Sequence, residues 1–299
     1  MTSPRLIDLH CHSTCSDGTF TPRQLAARAH RNGLSAVALT DHDNYAGYTE
    51  FREACTHHGI EAVTGVEISA TWDDAPGRPR GVDILGYGFD PTDPTLRSKL
   101  DFVRRARVDR NGLIVERLNE LGIPITVEMI RAEAGSEVVG RPHIARALVR
   151  MKVVADMSMA FDRYLADGAA AHVPKARLTL EETIGLIRAA GGFTSLAHPF
   201  VNPLKTEADF RAFLEPLVAA GLGGIEVMYS DHTAHQEDML RGLARELGLV
   251  ATGGSDFHGD NRPQVDLGRG FGALRVPYRV LEEIREALAR NPTHQPQWA

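Results

Sequence analysis

The sequence has few cysteines, no long apolar run and no excess of positive charge. Three cysteines among 299 residues, Cys11, Cys15 and Cys55, form an odd set that argues against a disulfide framework. No segment approaches the roughly 20 apolar residues of a membrane-spanning helix, and the first residues lack the basic and apolar regions of a secretion signal. These absences predict a cytoplasmic protein without a membrane partner.

The charged residues are weighted slightly towards acid. The chain has 33 lysines and arginines against 39 aspartates and glutamates, which gives a formal net charge of -6. A broad basic surface that would attract duplex nucleic acid is therefore not expected. Positive charge is concentrated locally in the run RRARVDR, Arg104–Arg110. We interpret this run as a solvated helix face, with an anion site as the alternative.

Strand-like and helix-like segments alternate over most of the chain. Apolar strands separated by amphipathic helices indicate a parallel sheet with helices packed against it. Between about residues 96 and 167 the pattern becomes mostly helical and predicts an inserted domain. Residues 1–95 and 168–290 then form the main domain, and residues 291–299 a tail.

Residues of the types that bind metal ions follow the ends of several predicted strands. Because ligands at the carboxyl ends of so many strands favour a barrel over an open sheet, we expect them to converge at one end of it. Alternation along the strand LIDLHCH places His10 and His12 on one face. The full set is His10, His12, Asp17, His42, Glu67, Asp83, His198, Asp256 and His258. Mixed imidazoles and carboxylates suit Mn, Fe or Zn better than Ca.

Some of these residues also have a purely structural interpretation. Asp17 lies in a glycine-containing turn and His42 precedes a predicted helix, so each could serve only the local backbone. Glu67 is different, because it ends an apolar strand where an unpaired carboxylate would cost several kcal/mol. A position bridging two cations is the favoured interpretation for Glu67.

Five motifs resemble, in order and spacing, those of the PHP (polymerase and histidinol phosphatase) metallophosphoesterases: DLHCHSTCSDGT, LTDHD, GVEIS, LAHPF and GSDFHG. Two further segments, GRPHIARALV and HVPK, are similar to the inserted helical domain of one bacterial branch. That branch includes nucleoside 3',5'-bisphosphate phosphatases and a 5'-3' exoribonuclease. The resemblance spans nearly the whole chain and implies an α/β fold, a distorted (β/α)7-type barrel with a small inserted helical domain.

The resemblance also implies two to three divalent metal ions, most of all Mn, with Fe, Zn or Mg as alternatives. The implied ligands are His10, His12, Glu67 and Asp256 for the first cation, Glu67 and His198 for the second, and Asp17, His42 and His258 for the third. Many relatives have a further histidine ligand for the second cation where this chain has Asp83; an aspartate can still bind metal, and the resemblance leaves the metal preference and occupancy of that site open.

The inserted domain is expected to contact substrate. By resemblance, Arg141 and Lys175 bind phosphate oxygens and His143 lies near the leaving group, where it would act as the general acid. Glu67 would serve catalysis through the cations that it bridges. The structural alternative is that Arg141 and Lys175 are surface cations and that His143 only begins a helix.

These features predict a phosphatase that removes the 3'-phosphate from a nucleoside 3',5'-bisphosphate, by attack of a metal-activated water on phosphorus. The alternative is a 5'-3' exoribonuclease acting on the end of short 5'-phosphorylated RNA. A histidinol-phosphate-type phosphatase and a non-catalytic binding module are further alternatives. The acidic net charge favours the small nucleotide, because long RNA usually binds a broad basic surface. The sequence leaves the oligomeric state open.

Overall fold

A computed structural model describes residues 5–73, 79–134, 140–174 and 177–290 of the chain. The predicted tail, residues 291–299, lies outside these ranges. The elements follow one another as β1 (Leu6–Asp8), α1 (Pro22–Arg31), β2 (Leu34–Leu39), α2 (Tyr48–His57), β3 (Glu61–Asp73), β4 (Pro79–Tyr87), α3 (Pro94–Glu120), α4 (Val127–Ala134), α5 (Arg141–Arg150), α6 (Met157–Ala160), β5 (Leu178–Thr179), α7 (Leu180–Ala189), β6 (Phe193–Leu196), α8 (Glu207–Ala220), β7 (Gly224–Tyr229), α9 (Ala234–Leu247), β8 (Val250–Gly254), β9 (Val276–Pro277) and α10 (Arg279–Ala289).

Threonine residues begin four of the helices in the main unit. Each threonine hydroxyl accepts a hydrogen bond from the backbone three residues later, and the side chain at that later position bonds back to the threonine N–H. The pairs are Thr21 with Gln24, Thr179 with Glu182, Thr206 with Asp209, and Thr233 with Gln236. These caps satisfy backbone donors that the helix leaves unpaired and fix where each helix starts.

The strands form one sheet that curves into a nearly closed barrel. Their order is β8-β7-β6-β4-β3-β2-β1-β9, and β5 pairs with β3. The sheet closes where the chain leaving β1 meets the chain leaving β8. There the N–H of Asp256 donates to the carbonyl of His10 at 2.8 Å, and the N–H of His12 donates to the carbonyl of Phe257 at 2.9 Å. The barrel predicted from the sequence is therefore confirmed.

Two antiparallel pairings interrupt the otherwise mainly parallel order. Strand β4 is antiparallel to both of its neighbours, β3 and β6, whereas alternation of strands and helices had predicted a parallel sheet throughout. A parallel pairing of neighbouring strands needs a crossover connection of about a dozen residues or more. The chain between Asp73 and Pro79 is too short for such a crossover. Strands β3 and β4, which follow one another in the chain, therefore pair antiparallel.

The barrel interior and the layer between sheet and helices form separate apolar clusters. Ile7, Leu85 and Ala197 belong to the cluster that includes residues of several barrel strands. Leu25 and Phe51, from α1 and α2, pack in a second cluster with residues of β2. Burial of these side chains fixes the strand ends in space, which is what positions the residues that follow them.

The chain divides into two compact units, one comprising Met1–Ser98 with Leu178–Ala299 and the other Lys99–Arg177. The second unit is helical and has its own apolar cluster. The sequence had placed the end of the insertion at residue 167. The unit extends further because Ala171 and Val173 are buried in that cluster, although the segment carrying them is irregular. In the described ranges, no helix is long and apolar enough to cross a bilayer.

Candidate metal centre

The nine metal-type residues predicted from the sequence lie in the barrel unit, and the structure brings their side chains together. Most of them follow the carboxyl end of a strand, while Glu67 lies within β3 and Asp83 within β4. The side chains of seven of them, all but His198 and Asp256, fall into overlapping groups whose potential ligand atoms lie within 4.8 Å of one another. The groups are His10, His12 and Glu67; His12, Asp17, His42 and His258; and His42, Glu67 and Asp83.

The first group is fully buried and is completed by Asp256. One oxygen of Glu67, Oε2, lies 3.4 Å from Nε2 of His10 and 3.3 Å from Nε2 of His12. Asp256 Oδ1 lies at 3.4 and 3.3 Å from the same two nitrogens. Two imidazoles and two carboxylates thus face a common point, in the combination expected for a divalent transition metal.

The second group surrounds Asp17. Its carboxylate oxygens lie 3.2 Å from Nε2 of His258 and 3.6 Å from Nε2 of His42. Nδ1 of His12 lies 3.7 Å from Asp17, so His12 faces this group through one ring nitrogen and the first group through the other. The resemblance had assigned His12 to the first cation alone.

Glu67 also faces His198 and Asp83. Its second oxygen, Oε1, lies 2.9 Å from Nε2 of His198, and the same nitrogen lies 3.9 Å from Oδ2 of Asp83. Oε2 of Glu67 lies 3.0 Å from Nδ1 of His42. The two oxygens of one buried carboxylate therefore face different imidazoles, which is the arrangement that a bridging ligand requires.

Several atoms at the centre of this cluster lack a hydrogen bond. In the described part of the chain, buried atoms without such a partner include Nε2 of His10, Nε2 of His12, Nδ1 of His42 and Oε2 of Glu67. Buried polar atoms are normally paired, since an unpaired one loses its hydration without compensation. These four atoms face one another, and divalent cations would satisfy all of them. The residues present therefore fit a metal centre.

The electrostatics of the cluster favour bound positive charge. Burial alone lowers the pKa of His12, but the facing carboxylates of Asp256 and Glu67 outweigh it and raise that pKa to about 10. Burial likewise lowers the pKa of His198, and Glu67 raises it to about 9. Burial raises the pKa of Glu67, but His42 and His10 hold it well below its usual range. Without metal, protons supply the positive charge that the carboxylates attract.

Backbone conformations that L-residues rarely adopt occur at this centre. Among the described residues, four non-glycine positions have positive φ, and three of them are Asp43 (φ 49), His198 (φ 25) and Asp256 (φ 55). Such conformations cost about 1–3 kcal/mol each and persist where surrounding structure imposes them. Gly254 lies shortly before Asp256 in the chain, and a Cβ at Gly254 would collide with the backbone of His10. The sequence gives no direct signal of these conformations.

Glu226, a fully buried carboxylate in β7, was not predicted from the sequence. Its Oε1 lies 2.9 Å from Nδ1 of His10, and its Oε2 accepts a hydrogen bond from the N–H of His198 at 2.7 Å. A charged residue inside the otherwise apolar segment GIEVMY was a signal that could have identified it.

Tyr229 and Arg262 orient Asp256. The hydroxyl of Tyr229 donates to Oδ2 of Asp256 at 2.8 Å, and Nη1 of Arg262 donates to the same oxygen at 2.9 Å. This leaves Oδ1 of Asp256 to face His10 and His12. The hydroxyl of Tyr229 thus serves a carboxylate of the centre.

Two of the residues predicted to contact substrate, Arg141 and His143, lie in the helical unit. Nη1 of Arg141 donates to the carbonyl of Leu165 at 3.1 Å and to Asp167 at 3.2 Å. His143 is only 3% exposed, and its Nδ1 accepts a hydrogen bond from the N–H of Gly140 at 3.0 Å. In the neutral ring the proton then resides on Nε2. Lys175 lies outside the described residues.

The basic run on α3 is not solvated along its whole length, because Arg110 is buried. Arg104 is half-exposed and pairs with Asp101, as a solvated helix face requires. Arg110 is 7% exposed, and its Nε donates to the carbonyl of Val173 at 2.6 Å. Burial, followed by the nearby cations Arg141 and Arg177, lowers the pKa of Arg110 to about 10. The solvated-face interpretation is therefore wrong for Arg110.

Known proteins resemble this chain over almost its full length. It is 38% identical over 251 residues to a 5'-3' exoribonuclease from Haemophilus influenzae, covering 84% of this chain and 89% of the relative. It is 35% identical over 285 residues to a 3',5'-nucleoside bisphosphate phosphatase from Chromobacterium violaceum, covering 95% of this chain and 98% of the relative.

Solved structures give the same result. A protein from Bifidobacterium adolescentis assigned as a metal-dependent phosphoesterase superimposes with a TM-score of 0.78 at 33% identity, over 94% of this chain and 96% of that one. An amidohydrolase from Chromobacterium violaceum, with bound sulfate and no metal, gives a TM-score of 0.78 at 32% identity, over 93% and 96%. The PHP domain model matches residues 8–180. The chain therefore belongs to the PHP domain family, as its motifs predict.

Proposed function

We propose that this protein is a metal-dependent phosphoesterase that removes the 3'-phosphate from nucleoside 3',5'-bisphosphates. The observation that carries the proposal is the buried carboxylate of Glu67 among four histidines, with facing nitrogen and oxygen atoms that lack hydrogen bonds. Such donor sets bind the divalent cations of phosphoester-cleaving enzymes. The bisphosphate phosphatase aligned over 95% of this chain supports the choice of substrate.

The centre is proposed to hold two to three divalent cations, most of all Mn, with Fe, Zn or Mg as alternatives. The proposed ligands are His10, His12, Asp17, His42, Glu67, Asp83, His198, Asp256 and His258. When bound, such cations would polarise the phosphoryl group and lower the pKa of a water molecule towards about 7. Glu67 would keep neighbouring cations close together, because its two oxygens face different imidazoles.

The arginines of the helical unit are proposed to bind phosphate. Arg110, Arg141 and Arg177 are close enough for the last two to lower the pKa of the first. Two further cations beside a buried guanidinium are unfavourable unless anions compensate them, and Asp167, which pairs with Arg141, supplies part of that compensation. A planar guanidinium binds two phosphate oxygens at once, so Arg141 is proposed as a phosphate ligand, together with Lys175.

His143 is proposed to protonate the departing 3' oxygen. With Nδ1 accepting from Gly140, the neutral ring carries its transferable proton on Nε2. Replacing His143 with asparagine should keep the bond to Gly140, because the amide oxygen is also an acceptor, but should remove the acid. We expect His143→Asn to lose turnover on a nucleotide and to retain it on a p-nitrophenyl ester, whose leaving group needs no proton. Equal losses on both substrates would remove this assignment.

The decisive experiment measures phosphate release from adenosine 3',5'-bisphosphate by the Mn-supplemented protein. Release that is lost in Glu67→Gln would establish the proposed reaction. Release from histidinol phosphate instead would move the substrate to another class. Absence of release from both, with no shortening of RNA, would favour a non-catalytic binding module.

A 5'-3' exoribonuclease on short 5'-phosphorylated RNA is the second candidate, because the relative from Haemophilus influenzae carries that name at 38% identity. The net charge of -6 favours the small substrate, since RNA binding draws on a broad basic surface. A labelled RNA oligomer incubated with the protein separates the two functions. Shortening of the oligomer without phosphate release from the bisphosphate would select the nuclease.

We propose a cytoplasmic location for this activity. None of the three cysteines, all of which the structure describes, is in a disulfide, and two of them are buried; reduced cysteines are typical of a reducing compartment. A small nucleotide or a short RNA end is the proposed partner. Fractionation of the cells that make the protein would test the location.

A further inference from the structure

Glu226 contacts two of the proposed metal ligands at once. Its carboxylate is fully buried in β7, a strand that separates the strands leading to His198 and Asp256. Oε1 lies 2.9 Å from Nδ1 of His10, and Oε2 accepts from the N–H of His198 at 2.7 Å. Each oxygen thus serves a different proposed ligand.

The contact with His10 determines which ring nitrogen is available to metal. When Nδ1 carries the proton and donates it to Glu226, the lone pair of the neutral ring lies on Nε2. That nitrogen faces Glu67 and Asp256 at 3.4 Å each. A carboxylate bonded to the far nitrogen of a metal-binding histidine fixes the ring orientation and makes the ligand more basic.

The contact with His198 acts on its backbone. His198 has φ 25 and ψ 61, a conformation unfavourable for a residue with a side chain. The charged acceptor Oε2 of Glu226 compensates this cost through the His198 N–H. In this conformation Nε2 of His198 lies 2.9 Å from Oε1 of Glu67.

We propose that Glu226 is a positioning residue that orients His10 and His198 together, so that one buried carboxylate couples the binding of two cations. The inference rests on the metal centre of the proposed function. Glu226 is not itself a proposed ligand: among the described residues, it belongs to none of the groups whose atoms converge within 4.8 Å.

The test is Glu226→Gln, which keeps the shape of the side chain. The amide has one acceptor oxygen, so it can accept from His10 or from the His198 N–H, but not from both. We expect the dissociation constants for Mn, measured by competition with a chelator in the absence of substrate, to rise by about 10–100-fold. Two weakened binding events are expected, one for each affected ligand.

Glu61→Gln is the matched control. Glu61 is a partly buried carboxylate that pairs with Arg285 and Tyr278, so the same chemical change is made away from the centre. It should leave Mn binding unchanged, even if it lowers the melting temperature. Unchanged Mn affinity in Glu226→Gln would overturn the proposal, as would an equal loss in Glu61→Gln.

A measurement on the unmodified protein covers the case in which Glu226→Gln does not fold. In the Zn-loaded protein, ¹⁵N NMR should show His10 protonated at Nδ1 and bound to Zn through Nε2. The reverse assignment would overturn the proposal. If the unmodified protein bound neither Mn nor Zn, the metal centre itself, and with it the proposed function, would be wrong. Normal binding that is indifferent to Glu226 would reject the positioning role alone.

Discussion

Glu67 contacts His10, His12 and His42 through one carboxylate oxygen and His198 through the other. Burial of such a group is costly unless opposite charge surrounds it. In the metal-free protein the protonated rings of His10, His12 and His198, whose pKa values are raised, provide that charge, and bound cations would provide it in their place. The importance of Glu67 therefore follows from its contacts with several ligands of the cluster.

Replacement of Glu67 by glutamine should abolish metal binding and activity together. The amide removes the negative charge and presents a poorly coordinating NH₂ to one side of the cluster. Because changes at residues that merely support a ligand cost about 10–100-fold in metal affinity, we expect a larger loss here. Metal content after dialysis, measured by mass spectrometry, checks this. The exposed Glu215→Gln on α8 is the control, and a Glu67→Gln protein with full metal content would contradict the assignment.

Asp83 should influence metal preference. It lies near both His198 and Glu67, at the position where many relatives are expected to carry histidine. Asp83→His should shift the preference from Mn towards Zn, because imidazole suits Zn and carboxylate suits Mn. Asp83→Ala should weaken one cation without favouring either metal. Competition binding of Mn and Zn to the three proteins checks this, and identical preferences would mean that Asp83 does not bind metal.

The residues at strand ends could be predicted from the sequence, whereas those that hold them could not. His10, Asp17 and Glu67 were predicted because imidazoles and carboxylates recur at the ends of apolar segments. Glu226 was missed because its partner His10 is distant in sequence. Arg262 was missed because its partner Asp256 lies in a turn of unusual conformation. Only the folded barrel reveals these contacts.

At the scale of elements, α3 has two kinds of arginine. Arg104 faces solvent and pairs with Asp101, while Arg110 is buried and bonds to the carbonyl of Val173. The two residues belong to one charged run, and nothing in the sequence separates them. Arg110 differs from Arg104 because it contacts the segment that ends the helical unit, which includes Val173.

Arg110→Gln should weaken nucleotide binding without impairing the chemical step. The buried positive charge near Arg141 and Arg177 would be lost, and with it attraction for a phosphate. We expect KM for adenosine 3',5'-bisphosphate to rise by about 10-fold or more, as for loss of one charge-assisted hydrogen bond, with kcat little changed. Steady-state kinetics provide the measurement. Arg104→Gln, the matched control on the same helix, should leave KM unchanged, and equal effects of the two variants would exclude an anion site at Arg110.

The element order was predicted better than the pairing of strands. The alternation of strand-like and helix-like segments was predicted from the sequence, and the closed barrel followed from ligands at many strand ends. The antiparallel β3–β4 pairing did not follow, because β4 carries the same apolar pattern as a parallel strand. The direction of a strand depends on the length of the connection before it, which the apolar pattern does not encode.

At the scale of the whole molecule, the stability of the metal-free protein should fall as pH rises from about neutral into the alkaline range. The folded pKa values of His12 and His198, about 10 and about 9, lie above the ordinary value of 6.5. The folded state therefore binds more protons than the unfolded state between these limits, and the free energy of unfolding falls as pH rises through them. Urea unfolding of the chelator-treated protein at a series of pH values checks this.

The metal-loaded protein should not show the same decline. Cations replace the protons, so metal binding releases protons and becomes stronger as pH rises. A metal-free protein whose stability is constant from pH 6.5 to 10 would contradict the raised pKa values.

The proposed ligands also come from both sides of the place where the barrel closes. His10 and His12 follow the first strand, Asp256 and His258 follow the last full barrel strand, and backbone hydrogen bonds join the two segments. A cation bound by residues of both segments would cross-link the barrel where it closes, and would join the segment after the first strand to a segment about 250 residues later in the chain. Bound metal would then stabilise the closed barrel as well as support the reaction.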